Sequence, residues 1–359
     1  MAYTIIDDPS LYFQTTIYTG NGGSQDITNS GNSDLQPDWL WIKQRSGAQN
    51  VSSHVVKDSS RGVTKEIFPN ATSAEGTSSL IDGFLSDGFS INNTANDHYN
   101  FNNALYVAWQ WKANGGTETN SQAESGSNIA CSVQANTTAG FSIITYTGTG
   151  GTGHTFLHGL GSAPAWFIIK RRNDTEDWLV YHHKNTSQPE TDHLLLNTTD
   201  GTSDSDTRFD DTAPNGTEIA LGNNAVCNAD ASTYVCYAFK EVKGYSKFGS
   251  YLGAVEAGRP FIYTGFKPAW LMIKRTDATT NARWYILDNA RNPNNPVNKE
   301  LYANQTDADA DRIAVDFLSN GFKLRTSATG YASDGGTYIY MAFAESPFVS
   351  SEGVPTTAG

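Results

Sequence analysis

The chain has 359 residues, and 24 Lys and Arg against 37 Asp and Glu leave a formal charge of −13. That balance argues against a nucleic-acid groove, which needs a concentrated basic surface, and against docking on an anionic membrane. Apolar residues make up 38% and aromatics 12%, clustered between stretches rich in Ser, Thr, Asn and Gly; this is strand-and-turn chemistry, not disorder.

No apolar run is long enough to span a bilayer as a helix, and the opening MAYTIIDDPSLYFQ lacks the basic-then-apolar pattern of a secretory leader. In chain order, the first predicted strand is YFQTTIYTG (Tyr12 to Gly20). PDWLWIKQR (Pro37 to Arg45), KEIFPN (Lys65 to Asn70), FLSDGFSI (Phe84 to Ile91) and LYVAWQWK (Leu105 to Lys112) follow. A polar stretch from Ala113 to Gln134 reads as a linker.

The pattern then starts again. GFSIITYTG (Gly140 to Gly148) leads to a glycine-rich loop, GTGGTG, then to PAWFIIKRR (Pro164 to Arg172), DWLVYHH (Asp177 to His183), HLLLNT (His193 to Thr198) and TYVCYAFK (Thr233 to Lys240). A third round holds KFGSYLGA (from Lys247), PAWLMIKRT (Pro268 to Thr276), RWYILDN (Arg283 to Asn289), KELYAN (Lys299 to Asn304), FLSNGFKL (Phe317 to Leu324) and TYIYMAFA (Thr337 to Ala344). The Pro-x-Trp segments are spaced by 127 and 104 residues, and the closing segments by 128 and 104. Two separated segments that keep the same offsets mark a threefold internal repeat. The middle copy lacks FLSxGF and is the most divergent there.

In PAWFIIKR, Trp166 and Ile168 face one way and Phe167 and Ile169 the other, so the run calls for cover on both faces. Lys170 and Arg171 are read as the point where the strand emerges into water. Short polar links to the next strand read as hairpin loops, and Gly88 and Gly321 suggest tight turns or bulges. Ala308 to Phe317 could hold a short helix. The expected fold is all-β: three divergent concanavalin-like or jelly-roll antiparallel β-sandwich modules in series. Their boundaries are residues 1–113, 135–243 and 244–359, with 114–134 as a polar linker.

The chemistry-bearing residues point away from an enzyme. His182 and His183 are adjacent in a strand and so face opposite ways, which suits a strand-end surface role better than a shared centre. His154 and His158 lack zinc-ligand spacing. GTGGTG is not a phosphate-binding loop, since it lacks the Lys-Ser/Thr ending and no helix follows. Cys131, Cys227 and Cys236 are too few for a disulfide framework; Cys227 and Cys236 could pair, but reduced, partly buried thiols are the stronger reading. Asp204, Asp206, Asp210 and Asp211, and Asp307, Asp309 and Asp311, offer oxygen ligands to calcium but match no EF-hand, so solvated acidic loops are the default.

Asp58-x-x-Arg61 and Asp288-x-x-Arg291 read first as internal salt bridges, with a polar binding pocket second. Trp39, Trp166 and Trp270 read as core anchors. Tyr99, Tyr245 and Tyr331 are the candidates for exposed aromatic contacts. No catalytic residue, cofactor site or metal site is assigned.

At PAWFIIKRR, DWLVYHH, TYVCYAFK and the FLSNGF strand, the sequence resembles a lectin-like β-sandwich family recurring in virion and tail-associated proteins of marine tailed phages. The resemblance covers nearly the whole chain as three copies. It implies a non-enzymatic virion protein, a tail fibre, knob or spike component that contributes to attachment at host-surface glycans. The alternative is a capsid decoration, capsid fibre or tail adaptor with no ligand of its own. Other virion proteins and further copies of the chain, a trimer among the stoichiometries, are the implied partners. The implied location is the tail or capsid exterior after assembly in the host cytoplasm.

Overall fold

Each Pro-x-Trp segment forms a strand whose alternate side chains enter two different cores. In the computed structural model, which describes residues 3–47, 52–92, 95–254 and 259–355, these strands and their neighbours build antiparallel sheets throughout. Module 1 contains β1 (Phe13–Thr19), β2 (Gln25–Ile27), β3 (Trp39–Ser46), β4 (Val55–Asp58), β5 (Lys65–Glu66) and β6 (Gly76–Thr77). It ends with β7 (Ile81–Leu85), β8 (Gly88–Ile91) and β9 (Leu105–Trp111). Its main sheet runs β1-β9-β3-β4, and β2-β8-β7 forms a smaller one.

Module 2 opens with β10 (Asn120–Gln122), β11 (Cys131–Asn136), β12 (Phe141–Thr147), β13 (His154–Leu157), β14 (Trp166–Arg171) and β15 (Trp178–His182). β16 (Asp192–Leu195), β17 (Ser203–Asp204), α1 (Asp206–Phe209), β18 (Glu218–Leu221), α2 (Ala225–Asn228) and β19 (Thr233–Phe239) complete it. The sheet order is β10-β11-β12-β19-β14-β15-β16-β17, with β13-β18 apart. Module 3 consists of β20 (Ser246–Leu252), β21 (Phe261–Tyr263), β22 (Phe266–Arg275), β23 (Trp284–Asp288) and β24 (Val297–Tyr302). β25 (Ala310–Leu318), β26 (Gly321–Leu324), α3 (Thr329–Ala332) and β27 (Thr337–Pro347) follow. Its eight strands are ordered β20-β27-β22-β23-β24-β25-β26-β21.

The repeat is therefore a repeat of topology: β1-β9-β3, β12-β19-β14 and β20-β27-β22 place the closing strand between the opening strand and the Pro-x-Trp strand. The FLSxGF segments form hairpins, β7–β8 and β25–β26. Glycine is required at their second strands. A Cβ on Gly88 would lie 1.9 Å from the Ile27 carbonyl oxygen, and one on Gly321 2.1 Å from that of Ile262. Ala308 to Phe317, expected to hold a short helix, instead falls largely in strand β25 (Ala310–Leu318); contacts of Ala314, Val315 and Phe317 with the module 3 core outweigh local helix preference there.

Residues 114–134, expected to be a linker, supply β10 and most of β11, which extend the module 2 sheet beyond β12. Polar composition hid this because few of these side chains enter a core. Asp38 fixes the entry to the segment by accepting the backbone N–H groups of Ala113 (2.7 Å), Gly115 and Gly116 (3.0 Å each). Gln134 adds further acceptor contacts to Asn114 and Gly116.

Leu40 and Ile42, Phe167 and Ile169, and Leu271 and Ile273 each point into the core of their own module. The other faces of the same strands carry Trp39 and Trp41, Trp166 and Ile168, and Trp270 and Met272 into one core shared by all three modules. At its centre Trp111, Phe239 and Phe343, the same position in the three closing strands, form a triangle. Their ring centroids are 5.5, 5.6 and 6.4 Å apart. Trp39, Trp166 and Trp270 are buried beside it, as core anchors. Burying a large aromatic contributes about 1.5–3 kcal/mol, so this shared core is a principal reason for the modules to pack as a group.

Candidate functional site

The seams between modules take up several of the residues that sequence reading considered for chemistry. Each Pro-x-Trp strand carries a lysine that is buried. Lys43 donates to the carbonyl of Thr306 (3.0 Å), Lys170 to that of Thr72 (2.8 Å) and Lys274 to that of Thr199 (3.1 Å). Module 1 thus donates to module 3, module 2 to module 1 and module 3 to module 2, a closed cyclic order. Lys170 does not mark emergence into water: its stem lies between modules and its ammonium is satisfied by carbonyls. Burial pulls Lys43 and Lys274 down to about 7 and Lys170 to about 8.

A second ring of contacts has the same direction. The Trp178 indole donates to the carbonyls of Phe68 and Ala71 (3.0 and 3.1 Å), and Trp284 donates to Leu195 (3.0 Å). His54 stands in the equivalent place, with Nε2 2.9 Å from the Tyr302 carbonyl oxygen. The Trp41 indole donates to His54 Nδ1 at 2.8 Å, so the proton of the neutral ring sits on Nε2 and serves the carbonyl. The backbone N–H groups of His54, Trp178 and Trp284 are held by the side chains of Asn70, Asn197 and Asn304. Each of these begins an Asn-x-Thr triplet whose Thr carbonyl receives a buried lysine. Sequence reading missed this device; the three triplets were its available signal, shifted by one place in HLLLNT.

The two Asp-x-x-Arg motifs are internal salt bridges, fully buried. Arg61 pairs with Asp58 and, at 2.9 Å, with Glu75; Arg291 pairs with Asp288 at 2.6 Å and Asp309 at 2.9 Å. Each pair is completed from a neighbouring module. Tyr237 donates to Asp58 at 2.6 Å and Arg172 to Glu75 at 2.9 Å, while Trp109 donates to Asp288 at 3.0 Å and Arg45 to Asp309 at 2.8 Å. Burial opposes the charge on Arg61, but Asp58 heads the opposing interactions and holds its pKa above the ordinary value.

His182 occupies the matching position in module 2. It is buried, not at a surface strand end, because module 3 covers it: Nε2 lies 3.2 Å from the Tyr340 carbonyl oxygen and the Lys184 N–H donates to Nδ1 at 3.1 Å. Burial lowers His182 to about 3. His183 faces the other way, with Nε2 2.6 Å from the Phe248 carbonyl oxygen. His158 is buried against the Asn215 carbonyl, and His154 lies 2.7 Å from the Thr149 hydroxyl.

The remaining candidates are likewise structural or dispersed. Cys131, Cys227 and Cys236 are free and buried. Asp307, Asp309 and Asp311 face Arg283, Arg45 with Arg291, and Lys299 respectively. Asp204 ends β17, Asp206 opens α1, and Asp210 and Asp211 turn the chain after that helix. Among the described residues, no three His, Cys, Asp or Glu side chains are grouped to hold a metal ion.

Tyr99, Tyr245 and Tyr331, expected to be exposed, are buried. Tyr99 and Tyr331 hydrogen-bond to Glu66 and Glu300, and Tyr245 packs edge-on against Tyr12 and Phe343. Their isolation from apolar strands in the sequence concealed these long-range partners.

The solvent-facing aromatics lie instead on module 3. Phe261 and Tyr263, two apart on β21, are 44% and 53% exposed, while Ile262 between them enters the core. Tyr263 Oη lies 2.7 Å from Tyr3 Oη, and the Lys243 ammonium stands 4.4 Å from the Tyr3 ring centroid. Adjoining grooves of about 330 and 400 Å³ meet here, both lined by Tyr3, Glu241 and Lys243, with Lys240 in one and Lys247 and Tyr263 in the other.

The family model described as Domain of unknown function (DUF7483) matches residues 8–347, a span that takes in all three modules, and the chain belongs to that family. No curated protein matches it.

Proposed function

For this member of the family, we propose a non-enzymatic virion protein, a tail fibre, knob or spike component contributing to attachment at host-surface glycans. One contrast carries the reading: the buried His54, His182, Asp58, Asp288, Lys43, Lys170 and Lys274 are engaged between modules, whereas module 3 turns two aromatic side chains to solvent. The chemistry is thus spent on rigidity and the free surface on contact. The likeness of the repeated motifs to virion proteins of tailed phages supports the same reading. Self-association belongs to it too, because β1 and β20 stand at the ends of their sheets while β11 covers the equivalent strand β12.

A structural capsid or tail component without a ligand is the second reading, favoured by the closed, polar-locked seams. A cryo-EM map of the intact particle separates the two. Attachment expects the chain at the distal tail or another exposed site with β21 facing outward. A chain encased between capsid or tail proteins overturns it and makes assembly the function.

A further inference from the structure

The three modules provide an internal control for every surface position. Ile27, Phe156 and Ile262 are equivalent, each pointing inward opposite Phe89, Ile219 and Phe322. The residues flanking them should therefore serve the same role in each module. Module 1 has Asp26 and Thr28, both exposed, and module 2 has Thr155 and Leu157, half-buried. Module 3 alone has two exposed aromatics, Phe261 and Tyr263. The fold does not demand them, since two other copies are built without them.

Their surroundings specify a ligand. Phe261 is paired across the strands with Lys323, which is exposed, so both project from the same face. At the other end, Tyr263 meets the Tyr3 hydroxyl, and Lys243 stands beside the Tyr3 ring. Neither Lys243 nor Lys323 makes an ion pair among the described residues. Carboxylates nearby are already engaged: Glu241 pairs with Lys247 at 3.0 Å and Asp316 with Arg325 at 2.8 Å. The result is a strip, Lys323–Phe261–Tyr263–Tyr3–Lys243, with two free cations on a chain of net charge −13.

We propose that this strip binds an acidic oligosaccharide, with sugar rings stacked on Phe261 and Tyr263 and their carboxylates paired with Lys243 and Lys323. A pyranose ring presents a C–H face to an aromatic ring and keeps its hydroxyls and carboxylate at the edge, where the lysines and tyrosine hydroxyls lie. A continuous apolar partner would leave both ammonium groups facing nothing that satisfies them. This proposal rests on the attachment reading and names its ligand class.

The test is calorimetric titration of the full chain with hexagalacturonate and, separately, with neutral maltohexaose. Hexagalacturonate binds and maltohexaose binds at least about tenfold more weakly; Tyr263→Ser weakens the acidic ligand about tenfold, as does the double variant Lys243→Gln/Lys323→Gln. These side chains are exposed, and unchanged melting temperatures identify the variants as folded. Binding of neither saccharide, equal binding of both, or binding that the variants leave intact overturns the proposal. The particle map distinguishes this from failure of the attachment reading. An outward-facing chain that ignores hexagalacturonate loses the site and keeps attachment, whereas an encased chain that binds it keeps the site and loses attachment.

Discussion

Two of the three seams are locked by a buried aspartate–arginine pair, and at the third the neutral His182 takes the aspartate's place. Between modules 1 and 2, Asp58, Arg61 and Glu75 meet Tyr237 and Arg172; between modules 3 and 1, Asp288, Arg291 and Asp309 meet Trp109 and Arg45. Between modules 2 and 3, His182 replaces the aspartate and Met341 takes the place of the aromatic donor. Thr276 stands where Arg45 and Arg172 stand. The backbone bonds persist: Glu75 N–H donates to the Arg172 carbonyl, Asp309 to Arg45 and Thr202 to Thr276, at 2.8, 2.9 and 2.7 Å. Geometry and a buried lysine are thus common to all three seams, while the aspartate–arginine pair is an addition at two. A buried ion pair need not stabilise more than a well-packed neutral contact, but it makes loss of one partner costly.

The largest expected effect breaks one charged seam. Arg61→Met leaves Asp58 buried without its cation and should destabilise the chain by about 3–5 kcal/mol in urea denaturation, as should Arg291→Met. A loss below about 1 kcal/mol at both sites would remove the distinction between the seams. Tyr237→Phe keeps the ring and removes only the hydroxyl that donates to Asp58. It should cost about 1.5–3 kcal/mol, the range for a hydrogen bond to a charged group; the counterpart at the His182 seam, Met341→Leu, should cost less than about 1.5 kcal/mol.

Acid sharpens the comparison from the other side. Folding lowers His182 from about 6.5 to about 3, so the folded chain binds fewer protons than the unfolded chain in that window. Its contribution to stability is intact above the unfolded value and declines as pH falls from about 6.5 towards 3. By pH 5 the loss is about 2 kcal/mol. His182→Asn should flatten the stability profile between pH 6.5 and 5 by roughly that amount. An unchanged slope would show that His182 is not the acid-sensitive group of the seam between modules 2 and 3. Effects smaller than at Arg61 and Arg291 are expected at the indoles: Trp178→Phe removes the donor to Phe68 and Ala71, and Trp284→Phe the donor to Leu195. Each should cost about 1–3 kcal/mol, Trp178 more because two carbonyls lose a partner.

Much of the fold was legible because strand chemistry is local. The alternation in PAWFIIKR predicted cover on both faces, and the glycines of FLSDGF and FLSNGF marked tight places. The identity of the second cover was not legible: nothing in Trp166 or Ile168 says that their face meets two other modules. Long-range partners also explain the misread residues. Lys170 has the composition of a strand end but finds the Thr72 carbonyl in another module, and Tyr331 reads as a loop aromatic but reaches Glu300. The segment 114–134 was misread because its strands pair through backbone hydrogen bonds with little apolar patterning. At the surface, Phe261 and Tyr263 became conspicuous only when β21 could be set beside β2 and β13.

Differential scanning calorimetry of the full chain tests the shared core most directly. Three modules closed around Trp111, Phe239 and Phe343 should unfold together, in one transition whose calorimetric and van't Hoff enthalpies agree. Three separable transitions, each with the enthalpy of about 100–125 residues, would contradict a common core and return the chain to independent modules in series.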